Sequence, residues 1–129
     1  MLALVGSEQR QYPRLGLGVP VTLLFLGSLG RDPVGAELQD ISRGGCFFKA
    51  LTQVPLDRRI SVTLSANGGK TIQASGRVVR TLAYKGFAVL FDQDDGVGVD
   101  ELIRDLASLP QESRAAALSE KLKPEIQIY

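Results

Sequence analysis

The sequence predicts a mostly β protein, a six-stranded antiparallel β-barrel followed by one or two C-terminal α-helices. Two observations carry this prediction: several short apolar runs separated by turn residues, and a helical spacing of apolar residues that begins only near the C-terminus. Rolling such short strands into a small barrel removes exposed strand edges. With 129 residues, 44% of them hydrophobic, the chain is long enough for one domain with a real core and too short for two ordinary ones.

The first four strands are predicted from runs of apolar residues between turn signals. The run VPVTLLFLG begins at Val19, the more polar VGAELQDIS ends at the turn-rich SRGG, and CFFKAL resumes the apolar character. In ISVTLSA, Ile60, Val62 and Leu64 alternate with polar residues, which is the period of two expected of a strand with one buried face.

The last two strands are predicted around a hairpin and a second turn. NGGK at 67–70 separates two β runs, and Asn-Gly is a strong hairpin signal because both residues tolerate positive φ. TIQASGRVVRTLA follows, and after a break near Tyr84 the run FAVLFD completes the barrel.

The C-terminal part changes to helical spacing. Val99, Leu102, Ile103 and Leu106 lie at i, i+3, i+4 and i+7, which predicts an amphipathic helix whose apolar stripe covers one mouth of the barrel. A second helix is predicted over about 109–122. Ser108 would be its N-cap, with Gln111 at the capping-box position and Pro110 in the first turn, and the helix would stop before Pro124.

Composition excludes several classes of function. A net charge of +1 does not favour polyanions such as duplex DNA, so we expect no nucleic-acid partner. The single cysteine, Cys46, excludes an internal disulfide, and the absence of histidine removes the usual zinc ligands and the commonest general base. We therefore expect no metal and no enzyme. The apolar opening MLALVG is too short for a membrane span, so we expect a cytoplasmic protein without membrane insertion.

Two short motifs are the candidate functional features. Arg10 and Arg14 form an R-x-x-x-R segment around a Tyr-Pro step, which disfavours a helix and keeps the two guanidinium groups on extended chain. Asp40, Ser42 and Gly45 form a D-x-S-x-x-G turn. Each motif alone has an ordinary explanation, since lone arginine pairs are usually solvated and Asp, Ser and Gly commonly build turns.

Together, in this order, the two motifs resemble those of the PilZ domain family, as do GRVVR at 76–80 and GFAVLF at 86–91. The resemblance covers about residues 8–107. It implies a six-stranded, split-type barrel with a C-terminal helix, and binding of the bacterial second messenger cyclic di-GMP without catalysis or any other cofactor. On this basis we expect an N-terminal segment at 1–9, the barrel domain with its closing helix at 10–109, and a helical tail at 110–129.

The resemblance assigns ligand binding to Arg10, Arg14, Asp40, Ser42 and Gly45. An arginine can fork onto phosphate oxygens or pair with guanine O6 and N7, and a carboxylate can accept from guanine N1–H and the exocyclic amine. Ser42 would bond the base or fasten the turn, and Gly45 would let the backbone approach the ligand. We expect the arginine segment to close over ligand held at the turn, and the reordered surface to signal to a downstream protein partner.

Two alternatives remain open at this point. One is a PilZ-like adaptor that binds proteins and ignores the nucleotide; the other is a small-barrel oligonucleotide-binding protein. An oligonucleotide-binding protein of this kind would be expected to stack bases on aromatic side chains beside a basic groove, whereas only 6% of the residues are aromatic. The segment DQDDG at 92–96 resembles the start of a calcium loop, but position twelve is Ile103 rather than Glu, which favours a solvated turn.

Overall fold

The computed structural model describes residues 13–27, 31–65, 71–119 and 124–129. They form seven strands, two α-helices and a 3₁₀ turn at Gln93–Asp95. In chain order the strands and helices are β1 (Leu15–Phe25), β2 (Val34–Ser42), β3 (Gly45–Lys49), β4 (Arg59–Ser65), β5 (Thr71–Leu82), β6 (Gly86–Phe91), α1 (Gly96–Ala107), α2 (Gln111–Ser119) and β7 (Glu125–Ile128).

The strands form a closed barrel in the order β1-β2-β3-β6-β5-β4-β7. All neighbours are antiparallel except β1 and β7, which run parallel. The predicted fold class is therefore confirmed, with seven strands in place of six. Closure gives every described strand a hydrogen-bonded neighbour on each side, which limits the strand edge available for pairing with another chain.

The core is built from the alternating residues that the sequence indicated. Ile60, Val62 and Leu64 of β4 are all buried. The rings of Phe48 and Phe87 stack inside the barrel with their centroids 5.1 Å apart, which joins β3 to β6. Burying each such side chain stabilises the fold by about 1.5–3 kcal/mol.

Strands β4 and β5 are paired residue by residue from Arg59↔Arg77 to Ser65↔Thr71, as the predicted hairpin requires. The turn itself, assigned to 67–70, lies outside the described residues. The antiparallel pairing of β4 with β5 confirms the prediction that these consecutive strands are neighbours in the sheet.

The first predicted helix is confirmed as α1, which packs against β2 and β5. Val99, Leu102 and Leu106 of its apolar stripe are buried, and Ile103 packs partly buried against the core. Among the described residues no helix is both long and apolar enough to cross a membrane.

The second predicted helix is present as α2, but its N-terminus differs from the expected capping box. Ser108 is the C-cap of α1, and its hydroxyl donates to the carbonyl of Asp105 at 3.3 Å. The carbonyl of Pro110 accepts the first backbone bonds of α2, from the N–H groups of Ser113 and Arg114. The side chain of Gln111 turns away to β1 instead.

Strand β7 follows α2 and was not expected from the sequence. It fills the gap between β1 and β4, where Ile126 and Ile128 are completely buried. Residues 125–128 are thus part of the barrel wall, and α2 is anchored to the barrel on both sides.

Candidate functional site

The two sequence motifs meet at one end of the barrel. Arg14 directly precedes β1 and Asp40 lies near the end of β2. The antiparallel pairing of these strands places Leu15 opposite Ile41 and Gly16 opposite Asp40. Arg10 lies outside the described residues.

Arg14 and Asp40 form an ion pair, with 3.5 Å between Nη1 and Oδ1. The Arg14 side chain is 44% exposed and the Asp40 side chain 21%, so both charged groups are open to solvent. A guanidinium has five N–H donors and a carboxylate about four acceptor positions, so the pair presents both kinds of hydrogen-bonding group at one place.

The turn between β2 and β3 carries the remaining residues of the second motif. The Ser42 hydroxyl donates to the carbonyl of Gly45 at 3.4 Å, closing the turn on itself. Arg43 at its tip bonds Asp100 of α1, with 3.0 Å between Nη1 and Oδ2. The turn is thereby joined to the helix that covers the barrel. Arg43 was not predicted as a site residue, because it occupies a variable position of the D-x-S-x-x-G motif.

The packing of two strands requires glycine at position 45, independently of any ligand. A Cβ at this position would lie 2.1 Å from the carbonyl oxygen of Val89 on β6, and 3.2 Å from its carbon. Its φ lies outside the left-handed region. The requirement is therefore close approach of two strands, and its expected role toward the ligand stays a prediction.

Cys46 lies buried directly behind the site. Burial raises the pKa of its thiol well above the ordinary value, and the negative charge of Asp40 raises it further, while the Arg14 guanidinium lowers it. A thiol held protonated in this way is a poor nucleophile.

Two of the three carboxylates of the DQDDG segment, those of Asp92 and Asp95, are bonded within the protein. Asp92 accepts two bonds from Arg59, at 3.2 and 2.6 Å, and these hydrogen bonds hold the pKa of Asp92 below its usual value. Asp95 accepts from the backbone N–H of Ser75 at 2.7 Å. Across the described ranges, no group of three or more Cys, Asp or Glu side chains is arranged to hold a metal ion.

Helix α2 borders the site on the side of β1. The Arg114 guanidinium donates to three carbonyls, those of Leu106 at 3.1 Å, Ala107 at 3.4 Å and Gly16 at 3.1 Å. It thus joins the end of α1 and the start of β1, two residues after Arg14. No local sequence signal pointed to this contact, because the two segments are distant in the chain.

The family model of the PilZ domain matches residues 8–108, which span both motifs and the barrel as far as the end of α1. No curated protein matches the chain.

Proposed function

Since the chain belongs to the PilZ domain family, a family of cyclic di-GMP receptors, we propose that it binds this dinucleotide at Arg10, Arg14, Asp40, Ser42 and Gly45. The observation that carries the proposal is the Arg14–Asp40 ion pair, which joins the two motifs across neighbouring strands at 3.5 Å. The pair offers a cation and a carboxylate side by side on an open surface. Cyclic di-GMP needs both, because it presents two phosphates and two guanines.

Arg14, with Arg10, would hold the phosphates or the Hoogsteen edge of a guanine. An exposed ion pair contributes only about 0–1 kcal/mol, whereas a hydrogen bond to a charged group contributes about 1.5–3 kcal/mol. The Arg14 guanidinium can therefore move from Asp40 onto a phosphate at little cost. Lysine would supply the charge but neither the fork nor the flat face that stacks on a base.

Asp40 would read the guanine base. Its carboxylate accepts from N1–H and the exocyclic amine, a pair of donors that adenine does not present on that edge. Ser42, whose hydroxyl closes the turn on Gly45, would keep Asp40 in place or bond the base itself. The hydrogen bond between Arg43 and Asp100 supports these roles, because it attaches the turn to α1 in the absence of ligand.

The receptor would signal by a change of surface rather than by catalysis. We infer that the segment at 10–14 closes over the ligand and that the reordered surface contacts a downstream protein in the cytoplasm. Ordering of a segment around a ligand phosphate is a known type of switch. A net charge of +1 supports a local anion site over a nucleic-acid surface.

Titration calorimetry on the whole chain tests the proposal, with cyclic di-GMP set against GTP and a short oligonucleotide. We expect saturable heat with cyclic di-GMP and much weaker binding of GTP, which lacks the second guanine and the cyclic diphosphate. No heat with cyclic di-GMP would contradict the proposal and favour a protein-binding adaptor. Tighter binding of the oligonucleotide would indicate a small-barrel oligonucleotide-binding protein.

A further inference from the structure

The side chain of Gln111, the first residue of α2, lies flat on the start of β1. Its Cδ, Oε1 and Nε2 atoms are each 3.6 Å from the position that a Cβ of Gly16 would occupy. Nε2 is also 3.8 Å from the corresponding position at Gly18, whose φ is +68°. These are ordinary van der Waals distances, so the amide packs against β1 at Gly16 and Gly18.

This position is next to Asp40. Gly16 and Asp40 are directly paired across β1 and β2, and paired residues point to the same face of a sheet, with Cβ positions about 4.5–5.5 Å apart. The Gln111 amide therefore lies against the residue that is paired with Asp40, within reach of a ligand held by that carboxylate.

The helix that carries Gln111 is fixed to the barrel, whereas the Gln111 amide has bonding capacity to spare. Arg114, one turn further along α2, fixes the helix to the carbonyls of Leu106 and Gly16. Gln111 itself is exposed, and within the part of the chain that the structure describes its amide makes no hydrogen bond.

We infer that Gln111 is a further ligand-binding residue, whose amide hydrogen-bonds the guanine that Asp40 holds. This inference rests on the proposed binding of cyclic di-GMP. Guanine presents the O6 acceptor beside the N1–H donor, so an amide N–H next to a carboxylate matches this edge with one donor and one acceptor.

Calorimetry with cyclic di-GMP on Gln111→Ala, Gln111→Met and a Glu112→Ala control tests the inference. Methionine keeps the length and the cover over Gly16 but removes the hydrogen bonds. Both Gln111 variants are expected to bind about 3- to 10-fold more weakly than wild type, the range for one neutral hydrogen bond, while Glu112→Ala binds as wild type does. Thermal unfolding of all three variants is expected to be unchanged, since both side chains are exposed.

The outcomes separate this inference from the proposed function. If wild type binds and Gln111→Met binds equally well, Gln111 is only a cover for Gly16 and the inference is overturned, while the proposed function stands. If wild type does not bind cyclic di-GMP, both are overturned. Weaker binding by Gln111→Met at unchanged stability supports the inference, because loss of packing alone would not produce it.

Discussion

Replacing Gly45 with alanine is expected to lower the free energy of unfolding by about 2–4 kcal/mol, whether or not ligand is present. The new Cβ would stand 2.1 Å from the carbonyl oxygen of Val89, and the obstacle is backbone rather than a flexible side chain. Strand β3 pairs with β6 from Gly45↔Leu90 to Lys49↔Gly86, so relief of the clash must separate two central strands. The measurement is urea denaturation of the variant without ligand.

Gly35→Ala is the matched control for this prediction. Gly35 lies on β2, and a Cβ there would have no atom within 4 Å. Alanine at this position is expected to leave stability unchanged or to raise it slightly, because it reduces the entropy of the unfolded chain. If Gly45→Ala unfolds at the same urea concentration as Gly35→Ala, the close approach of β3 and β6 does not constrain position 45.

Removing either charge of the Arg14–Asp40 pair is expected to weaken cyclic di-GMP binding by about 10- to 150-fold while leaving the barrel folded. The estimate corresponds to about 1.5–3 kcal/mol for a hydrogen bond to a charged group. Loss of the ion pair itself has little effect on stability, because both side chains are partly exposed. Calorimetry gives the affinities of Arg14→Ala and Asp40→Ala, and thermal unfolding gives their stabilities.

Two charged residues outside the site provide the controls. Arg80→Ala removes an exposed arginine of β5, and Glu37→Ala removes a carboxylate from the same strand as Asp40. Both are expected to bind cyclic di-GMP as wild type does. Equal losses of affinity in Arg80→Ala and Arg14→Ala would mean that general charge, rather than the paired site, attracts the ligand.

The barrel could be predicted because its strands carry local signals. The alternation of Ile60, Val62 and Leu64 reports directly which face of β4 is buried, and the helical spacing of Val99, Leu102 and Leu106 does the same for α1. Such periodicities depend only on neighbouring residues. The patterns agree with the folded structure because the buried face of each strand or helix supplies the apolar area that stabilises the barrel.

Strand β7 could not be predicted in the same way. Glu125–Ile128 is four residues long, which gives only two periods of alternation, and its partners β1 and β4 lie far away in the chain. Its stability comes from burial of Ile126 and Ile128 between those strands rather than from local propensity. A segment of this kind becomes a strand only when the barrel leaves a gap for it.

The candidate site could be predicted only in part, because some of its contacts also join segments that are distant in the chain. Arg14, Asp40, Ser42 and Gly45 are recognisable as motifs, and the structure brings Arg14 to Asp40 and Ser42 to Gly45. Gln111 belongs to no motif, and its place against Gly16, the residue paired with Asp40, follows from the packing of α2 on β1. The steric need for glycine at position 45 likewise depends on β6, which sequence spacing does not reveal.

Hydrogen exchange with and without saturating cyclic di-GMP reports both whether the ligand binds and where it binds. We expect slower exchange at residues 10–18 and 40–46, which carry the two motifs. We expect unchanged exchange at 51–58 and 81–86, the connections at the other end of β3 and β6. If exchange stays the same at 10–18 and 40–46 while calorimetry reports binding, the ligand binds elsewhere and the proposed site is wrong.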